Sequence, residues 1–376
     1  MNESIQKVSS CAILTLNGYV NYGNRLQNYA LQQIVLQYAQ KVDTLIIEQG
    51  NQKSGIAKID SSQKKPFYTA FNLKRLMLNL PRNTIKTFYT SKRKTKFKQF
   101  SKEFLHERLT GLSSNKVPNG IAEWYDFFIV GSDQVWNPTF PEFSELFFLT
   151  FVPERKRIAY APSFGIAEIP AKFHISLHKW LNSIPNISVR ENSGAEIIRQ
   201  LTNKEVPVLL DPTLLLDATQ WTIISKPVRN IPKRKYILVY FLGEIGKKRM
   251  QAIKEYAKLN NYSVVVLNSL RHPRYYSASP SELITLVSRC SLICTDSFHG
   301  TAFSIIFNKP FVVYDRKGQY SMSSRIKTIL QTFQLENRRA MELSDKSLLK
   351  IDYTTVTRIL ETERKKALSF FENSFT

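Results

Sequence analysis

The stretch Leu292-Ile-Cys-Thr-Asp-Ser-Phe-His-Gly-Thr-Ala-Phe-Ser-Ile-Ile-Phe307 decides the fold. Ser291 to Cys294 reads as a short buried strand, Thr295-Asp296-Ser297 as a polar turn, and the remainder as a helix with His299 in its first turn. Ser297 is a good N-cap, because its hydroxyl can accept from a backbone N–H that the first helical turn leaves unbonded. Gly300 lets another backbone or a ligand come close. Free N–H groups and the positive end of the helix dipole then face the region beyond the strand's carboxyl end, where open α/β sheets bind ligands. His299, beside Asp296 and Ser297, can supply both a titrating proton and a hydrogen bond to an anion. A histidine that only bonds a neighbouring carbonyl is the plainer account. The strand-turn-helix setting favours the functional one.

The same strand-then-polar-turn pattern recurs outward from this stretch. Towards the amino end, Val8 to Leu16 predicts a strand, and Asn24 to about Gln40 a helix with Leu31, Ile34, Val35 and Tyr38 on one face. The junction between them is rich in Asn, Gln and Gly and places Arg25 at the helix entrance, but it is neither a dinucleotide fingerprint nor a P-loop. Thr44 to Glu48 reads as the next strand, and Phe127 to Val130 as a continuous apolar strand of a parallel sheet covered on both faces. Gly131-Ser132-Asp133-Gln134 then delivers a hydroxyl, a carboxylate and an amide to that strand's carboxyl end. A tight turn with Asp133 as a cap accounts for it equally well. Ile158 to Ala161 and Ile187 to Glu191 read as further strands, the latter ending in Arg190, which either clamps an anion or pairs with Glu191 or a nearby Asp. Val206 to Leu210 predicts a strand, closed by a structural turn at Asp211-Pro-Thr213.

Beyond that turn the βα rhythm continues. Strands are expected at Tyr236 to Leu242, Ser263 to Leu267 and Pro310 to Tyr314, and helices at Ile245 to Leu259 and Ser281 to Arg289. A helix opening at Ser321 carries Arg325 near its entrance, and the chain is mainly helical from Leu343 onward. The expected architecture is α/β, with two Rossmann-like, doubly wound domains facing each other across a cleft. The first covers 1–215 with a basic insertion at about 52–112, the second 216–345, and a helix in 346–376 packs back on the first.

Charge is the unusual property: 53 Lys and Arg against 30 Asp and Glu give +23. From Ser61 to Lys102 there are twelve basic and no acidic residues, interleaved with aromatics such as Phe67, Tyr68, Phe71, Phe88, Phe97 and Phe100. That pattern suits basic amphipathic helices on anionic lipid, or an insertion whose aromatics pack on the protein. No nucleic-acid-binding signature accompanies it, so a membrane surface is favoured over nucleic acid. Cys11, Cys290 and Cys294 lie in apolar runs that suit neither a disulfide framework nor a zinc site. With no signal-peptide core or membrane-spanning run, a cytoplasmic protein is expected, peripheral at the inner face of the plasma membrane.

Six segments together resemble the polysaccharide pyruvyl transferase family. They are Asn21-Tyr-Gly-Asn-Arg-Leu-Gln-Asn-Tyr-Ala-Leu-Gln, Asp126-Phe-Phe-Ile-Val-Gly-Ser-Asp-Gln-Val-Trp-Asn-Pro, Ser188-Val-Arg-Glu, Leu210-Asp-Pro-Thr, Asp296-Ser-Phe-His-Gly and Ser323-Ser-Arg. The resemblance implies a glycosyltransferase-B-like fold and transfer of the enolpyruvyl group of phosphoenolpyruvate to a sugar, with no metal or other cofactor. It assigns His299 as general acid and Asp133, then Asp296, as base. Arg190, Arg25, Arg325, Ser297 and Gly300 would bind the donor, and Asn24, Gln27, Ser132 and Gln134 the acceptor, a lipid-linked or nucleotide-linked sugar. Better-studied relatives often carry an Arg two positions before the motif's His, where this chain has Ser297. The alternative on this architecture is a nucleotide-sugar-dependent glycosyltransferase, with His299 and Arg190 gripping the diphosphate.

Overall fold

The computed structural model describes residues 7–48, 82–316, 323–339, 341–345 and 347–375. Its frame is two all-parallel sheets. In the first, β1 (Val8–Leu14), β2 (Ala39–Ile46), β3 (Glu107–Leu109), β4 (Phe127–Val130), β5 (Arg157–Ala159) and β6 (Asn186–Ile187) lie in the order β3-β2-β1-β4-β5-β6. In the second, β7 (Tyr236–Tyr240), β8 (Ser263–Val266), β9 (Leu292–Thr295) and β10 (Phe311–Val313) lie in the order β10-β9-β7-β8. The direction of winding reverses between β1 and β4 in one sheet and between β7 and β9 in the other. Crevices open at such switch points beyond the strands' carboxyl ends.

The helices that position the site are α1 (Tyr22–Val35), α2 (Arg82–Phe104), α3 (Asn192–Thr202), α4 (Pro280–Arg289), α5 (Phe298–Ile306), α6 (Ser323–Thr332) and α7 (Tyr353–Ser374). Their starts follow from local chemistry. Asn21 caps α1 through Gly23 N, Ser297 caps α5 through Gly300 N, and Ser279 with Glu282 closes a capping box on α4, with Pro280 at its first turn. One apolar cluster joins the two sheets: Tyr29 packs on Trp221 (centroids 5.6 Å apart), Trp221 on Phe303 (5.0 Å), and Tyr22 edge-on to Tyr240 (5.8 Å). Along α7, Arg364 donates to the carbonyls of Leu214 and Leu216, and Phe371 stacks on Tyr160 at 4.4 Å.

Several expectations need correction. Val206 to Leu210 forms no strand, only a bridge between Val189 and Val208, and β6 ends at Ile187, which leaves Arg190 and Glu191 past it rather than at its end. The final helix begins at Tyr353, not near Leu343. In the basic insertion's helix the aromatics divide, with Phe88 exposed. Phe97 and Phe100 are buried in the core, because Tyr22, Tyr29 and Phe104 are there to cover them. Phe67, Tyr68 and Phe71, and the helix start expected at Ser321, lie outside the described residues. Cys11, Cys290 and Cys294 are free and buried.

Candidate functional site

His299 reaches the first half of the chain. Its buried ring lies so close to Gly23 at the start of α1 that a Cβ there would stand 2.2 Å from Nδ1. Only glycine leaves room for the imidazole. On its other side, His299 Nε2 stands 3.7 Å from Asp211 Oδ2 and has no hydrogen-bond partner.

Asp211 is the hub. Its Oδ1 accepts from the Thr213 amide (3.0 Å) and hydroxyl (2.7 Å), the capping geometry of the turn Pro212–Leu215. Its Oδ2 accepts from Ser132 Oγ (2.8 Å) and from Arg190 (2.5 Å). Arg190 also reaches Asp133 Oδ1 at 3.4 Å, and its guanidinium lies 4.6 Å above the Phe298 ring. Arg325 of α6 stands 3.7 Å from the same Asp133 oxygen. Asp133 holds a φ of +76°, a left-handed conformation rare for a residue with a side chain, and one that clusters at working sites. Ser132, Asp133, Arg190 and Asp211 from the first half thus meet His299 and Arg325 from the second.

Electrostatics follow from burial and pairing. Burial pushes the His299 imidazole below its ordinary value; Asp211 and Asp133 pull the other way, and Arg190 and Arg325 add to the push. At neutral pH the ring is therefore uncharged. Burial works to raise the Asp211 carboxyl, but His299, Arg190 and Thr213 outweigh it and hold it down at about 2. Arg325 is lowered to about 10 by burial, with Arg190 adding to the effect, and remains charged. Two guanidiniums face two carboxylates, so the resting cluster is electroneutral.

Other expected site residues sit elsewhere. Arg25 does not face the cleft: it is fully buried, paired with Glu107 and donating to Leu16 O (3.0 Å) and Asn17 Oδ1 (3.1 Å), so it fixes the loop after β1 instead of binding a donor. Both oxygens of Asp296 accept hydrogen bonds, Oδ1 from Leu242 N (2.7 Å) and Oδ2 from Gly243 N (2.9 Å) and Arg316 (3.1 Å), so it ties the loop after β7 to Arg316. The open side of Gly300 is filled by Thr295, whose Oγ1 would lie 2.3 Å from an added Cβ, so no ligand approaches there. Ser297 spends its hydroxyl on Gly300 N. Gln27 bonds Thr15 Oγ1 (2.7 Å), Asn24 reaches Leu16 O (3.4 Å), and Gln134 accepts from Asn137 (3.0 Å), so these three brace the floor of the site. Of the acceptor-binding set, Ser132 joins the central cluster through its side chain, and Gln134 touches it through its backbone amide, which donates to Asp133 Oδ1 (2.9 Å).

A family model for polysaccharide pyruvyl transferase matches residues 21–318. The chain belongs to the polysaccharide pyruvyl transferase family. Every member of the His299 cluster except Arg325 falls inside the matched span. No curated protein matches this family member. Among solved structures it is similar to UDP-GlcNAc 2-epimerase from Neisseria meningitidis bound to UDP-GlcNAc, with TM-score 0.46, 11% identity, and 96% of this chain and 94% of that one covered. It is also similar to UGT2 of Phytolacca americana complexed with UDP-2fluoro-glucose and pterostilbene, with TM-score 0.45, 12% identity and 98% and 100% covered.

Asp211 and Gly23 are the residues that sequence reasoning missed as site residues. Asp-Pro-Thr is ordinary turn chemistry, and only the arrival of Arg190, Ser132 and His299 gives Asp211 a further role. Among the described residues no group of three His, Cys, Asp or Glu is placed to hold a metal ion, and no helix is long and apolar enough to cross a membrane.

Proposed function

We propose that this enzyme transfers the enolpyruvyl group of phosphoenolpyruvate to a sugar of a surface-polysaccharide precursor, giving a pyruvate ketal and inorganic phosphate. The observation that carries the reading is the convergence of Arg190, Arg325 and His299 around Asp133 and Asp211 in a member of this family. A phosphate and a carboxylate need fixed cations, and the two buried guanidiniums are such groups. A donor arriving in an electroneutral cluster adds negative charge, which favours protonation of His299. The imidazolium then gives its proton to the methylene carbon, turning it into a methyl group and leaving an oxocarbenium-like centre at C2. A sugar hydroxyl adds there while Asp133 takes its proton. A second hydroxyl of the same sugar displaces the phosphate and closes the ketal, its proton leaving with the phosphate, and Asp133 gives up the first proton to solvent. Ser132 and Arg190 hold Asp211, which faces His299 throughout.

The outward face of α2 suits an anionic membrane surface as the place where a lipid-linked acceptor is met. Lys92, Lys94, Lys98 and Lys102 are exposed there, along with Phe88.

Acceptor-dependent release of phosphate from phosphoenolpyruvate tests the function, run in heavy water with lipid-linked cell-envelope saccharides as acceptors. The expected product carries one deuterium in the ketal methyl group. Consumption of a nucleotide sugar with phosphoenolpyruvate untouched would overturn the proposal.

A further inference from the structure

The contact between His299 and Gly23 joins the two halves of the chain, and a third element fastens the halves beside it. Helix α2 lies across both. Buried Arg93 donates to Val20 O in the loop before α1 (3.1 Å from Nε, 2.7 Å from NH2) and to Tyr276 O in the second half (2.8 Å). Its guanidinium also lies over the rings of Tyr22 (4.5 Å) and Tyr276 (5.3 Å). One turn before it, Thr90 Oγ1 meets the Tyr276 hydroxyl at 3.2 Å. One turn after it, Lys96 reaches both oxygens of Glu282, at 2.8 and 2.6 Å. Thr90, Arg93 and Lys96 are three residues apart and so share one helix face. Beneath them, Tyr22 donates to Ala278 O at 2.9 Å.

These bonds converge on the residues just ahead of Gly23. Val20 and Tyr22 are held from one side by Arg93, and Tyr22 is bonded directly to the second half. Gly23 comes next in the chain, and its position sets the wall against which His299 packs. A planar guanidinium can satisfy two carbonyls in different directions at once, which a lysine ammonium does less well.

We propose that Arg93 is a positioning residue, the pin of a clasp on α2 that holds the amino end of α1 against the turn 276–279 and thereby seats Gly23 on His299. The proposal takes from the preceding section only that His299 is the working group. Its readouts need neither donor nor turnover, so it stands or fails separately from the assigned reaction.

The test compares wild type, Arg93→Met and Arg93→Lys by hydrogen exchange and by NMR titration of the histidine ring protons, with His299 identified by its loss in His299→Gln. Burial lowers the proton affinity of His299, while Asp211, Asp133, Arg190 and Arg325 surround it in every variant. In Arg93→Met, exchange at residues 20–23 and 276–279 should rise at least about tenfold while β1 and β9 keep their protection. The His299 titration should move up toward its ordinary value, and Arg93→Lys should restore part of both effects. Unchanged seam exchange and an unchanged His299 titration would overturn the proposal, as would exchange rising equally in β1 and β9. Should Arg93→Met not fold, Arg93→Lys carries the test: it keeps the charge and loses the planar fork that spans the Val20 and Tyr276 carbonyls, so a smaller rise at the same residues is expected. The same outcomes then decide.

Discussion

Asp211 Oδ2 stands 3.7 Å from His299 Nε2 while accepting hydrogen bonds from Arg190 and Ser132. One carboxylate oxygen therefore faces the imidazole, a guanidinium and a hydroxyl. Asp211→Asn should lower kcat at least about 100-fold, since it removes the negative charge that would support a protonated His299. It should also cost about 3–5 kcal/mol of stability by leaving Arg190 short of a buried partner. Denaturant unfolding alongside turnover separates the two effects. Full activity in a folded Asp211→Asn protein would contradict the role given to Asp211.

Gly23→Ala tests the seat of His299. A methyl group 2.2 Å from Nδ1 cannot coexist with the observed ring position, so the imidazole must leave it. Turnover should fall at least about 100-fold, because an ångström-scale displacement of a catalytic group costs this much. Folding should survive, since alanine favours the helix that begins there. The expected pattern is a near-normal melting temperature with lost kcat.

Donor binding should take up a proton. His299 is below its ordinary value in the free enzyme, so it is neutral at pH 7, and an added anion raises its proton affinity. Apparent affinity for phosphoenolpyruvate should therefore fall as pH rises from the pKa of the free enzyme toward that of the complex, by about tenfold per unit at most, and level off above it. Titration calorimetry in buffers of different ionisation enthalpy should give a net uptake near one proton, and about zero in His299→Gln.

The Asp211 carboxyl is held at about 2, below its unfolded value. A depressed carboxylate contributes stability that is present above the unfolded pKa and lost as pH falls through the folded one. The stability gap between wild type and Asp211→Asn should thus be constant near neutrality and shrink between about pH 4 and pH 2. Chemical unfolding across that range reads it directly.

The exposed lysines of α2 should bind anionic vesicles. Phosphatidylglycerol vesicles should sediment the protein at low salt, and phosphatidylcholine vesicles should not. Replacing Lys92, Lys98 and Lys102 together by Glu should abolish sedimentation without moving the melting temperature, since each is exposed.

Much of the architecture was legible because each element's cause is local. The apolar run Phe127 to Val130 forms a strand with those bounds, and Ser297 caps α5 where its hydroxyl predicts. The site was legible only as strand ends. Asp133, Arg190 and His299 could be singled out because polar residues follow apolar runs, and Arg325 because it lies near a helix entrance, and the structure brings them together. Partner choice was not legible. Arg25 looked like a cleft cation, but Glu107, placed by the register of β3 on β2, claims it. Asp296 looked like a base, but the backbone leaving β7 uses both its oxygens. Gly23 is explained only by a histidine from the other half of the chain.

The measurement that tests the central claim most directly is calorimetric titration of phosphoenolpyruvate into wild type and Arg190→Lys. The lysine keeps a positive charge beside Asp211 and Asp133 but loses the planar fork. Micromolar binding by wild type, weakened at least about tenfold in Arg190→Lys, is the predicted result. No binding of phosphoenolpyruvate by the wild type, with or without acceptor, while a nucleotide sugar does bind, would contradict the account.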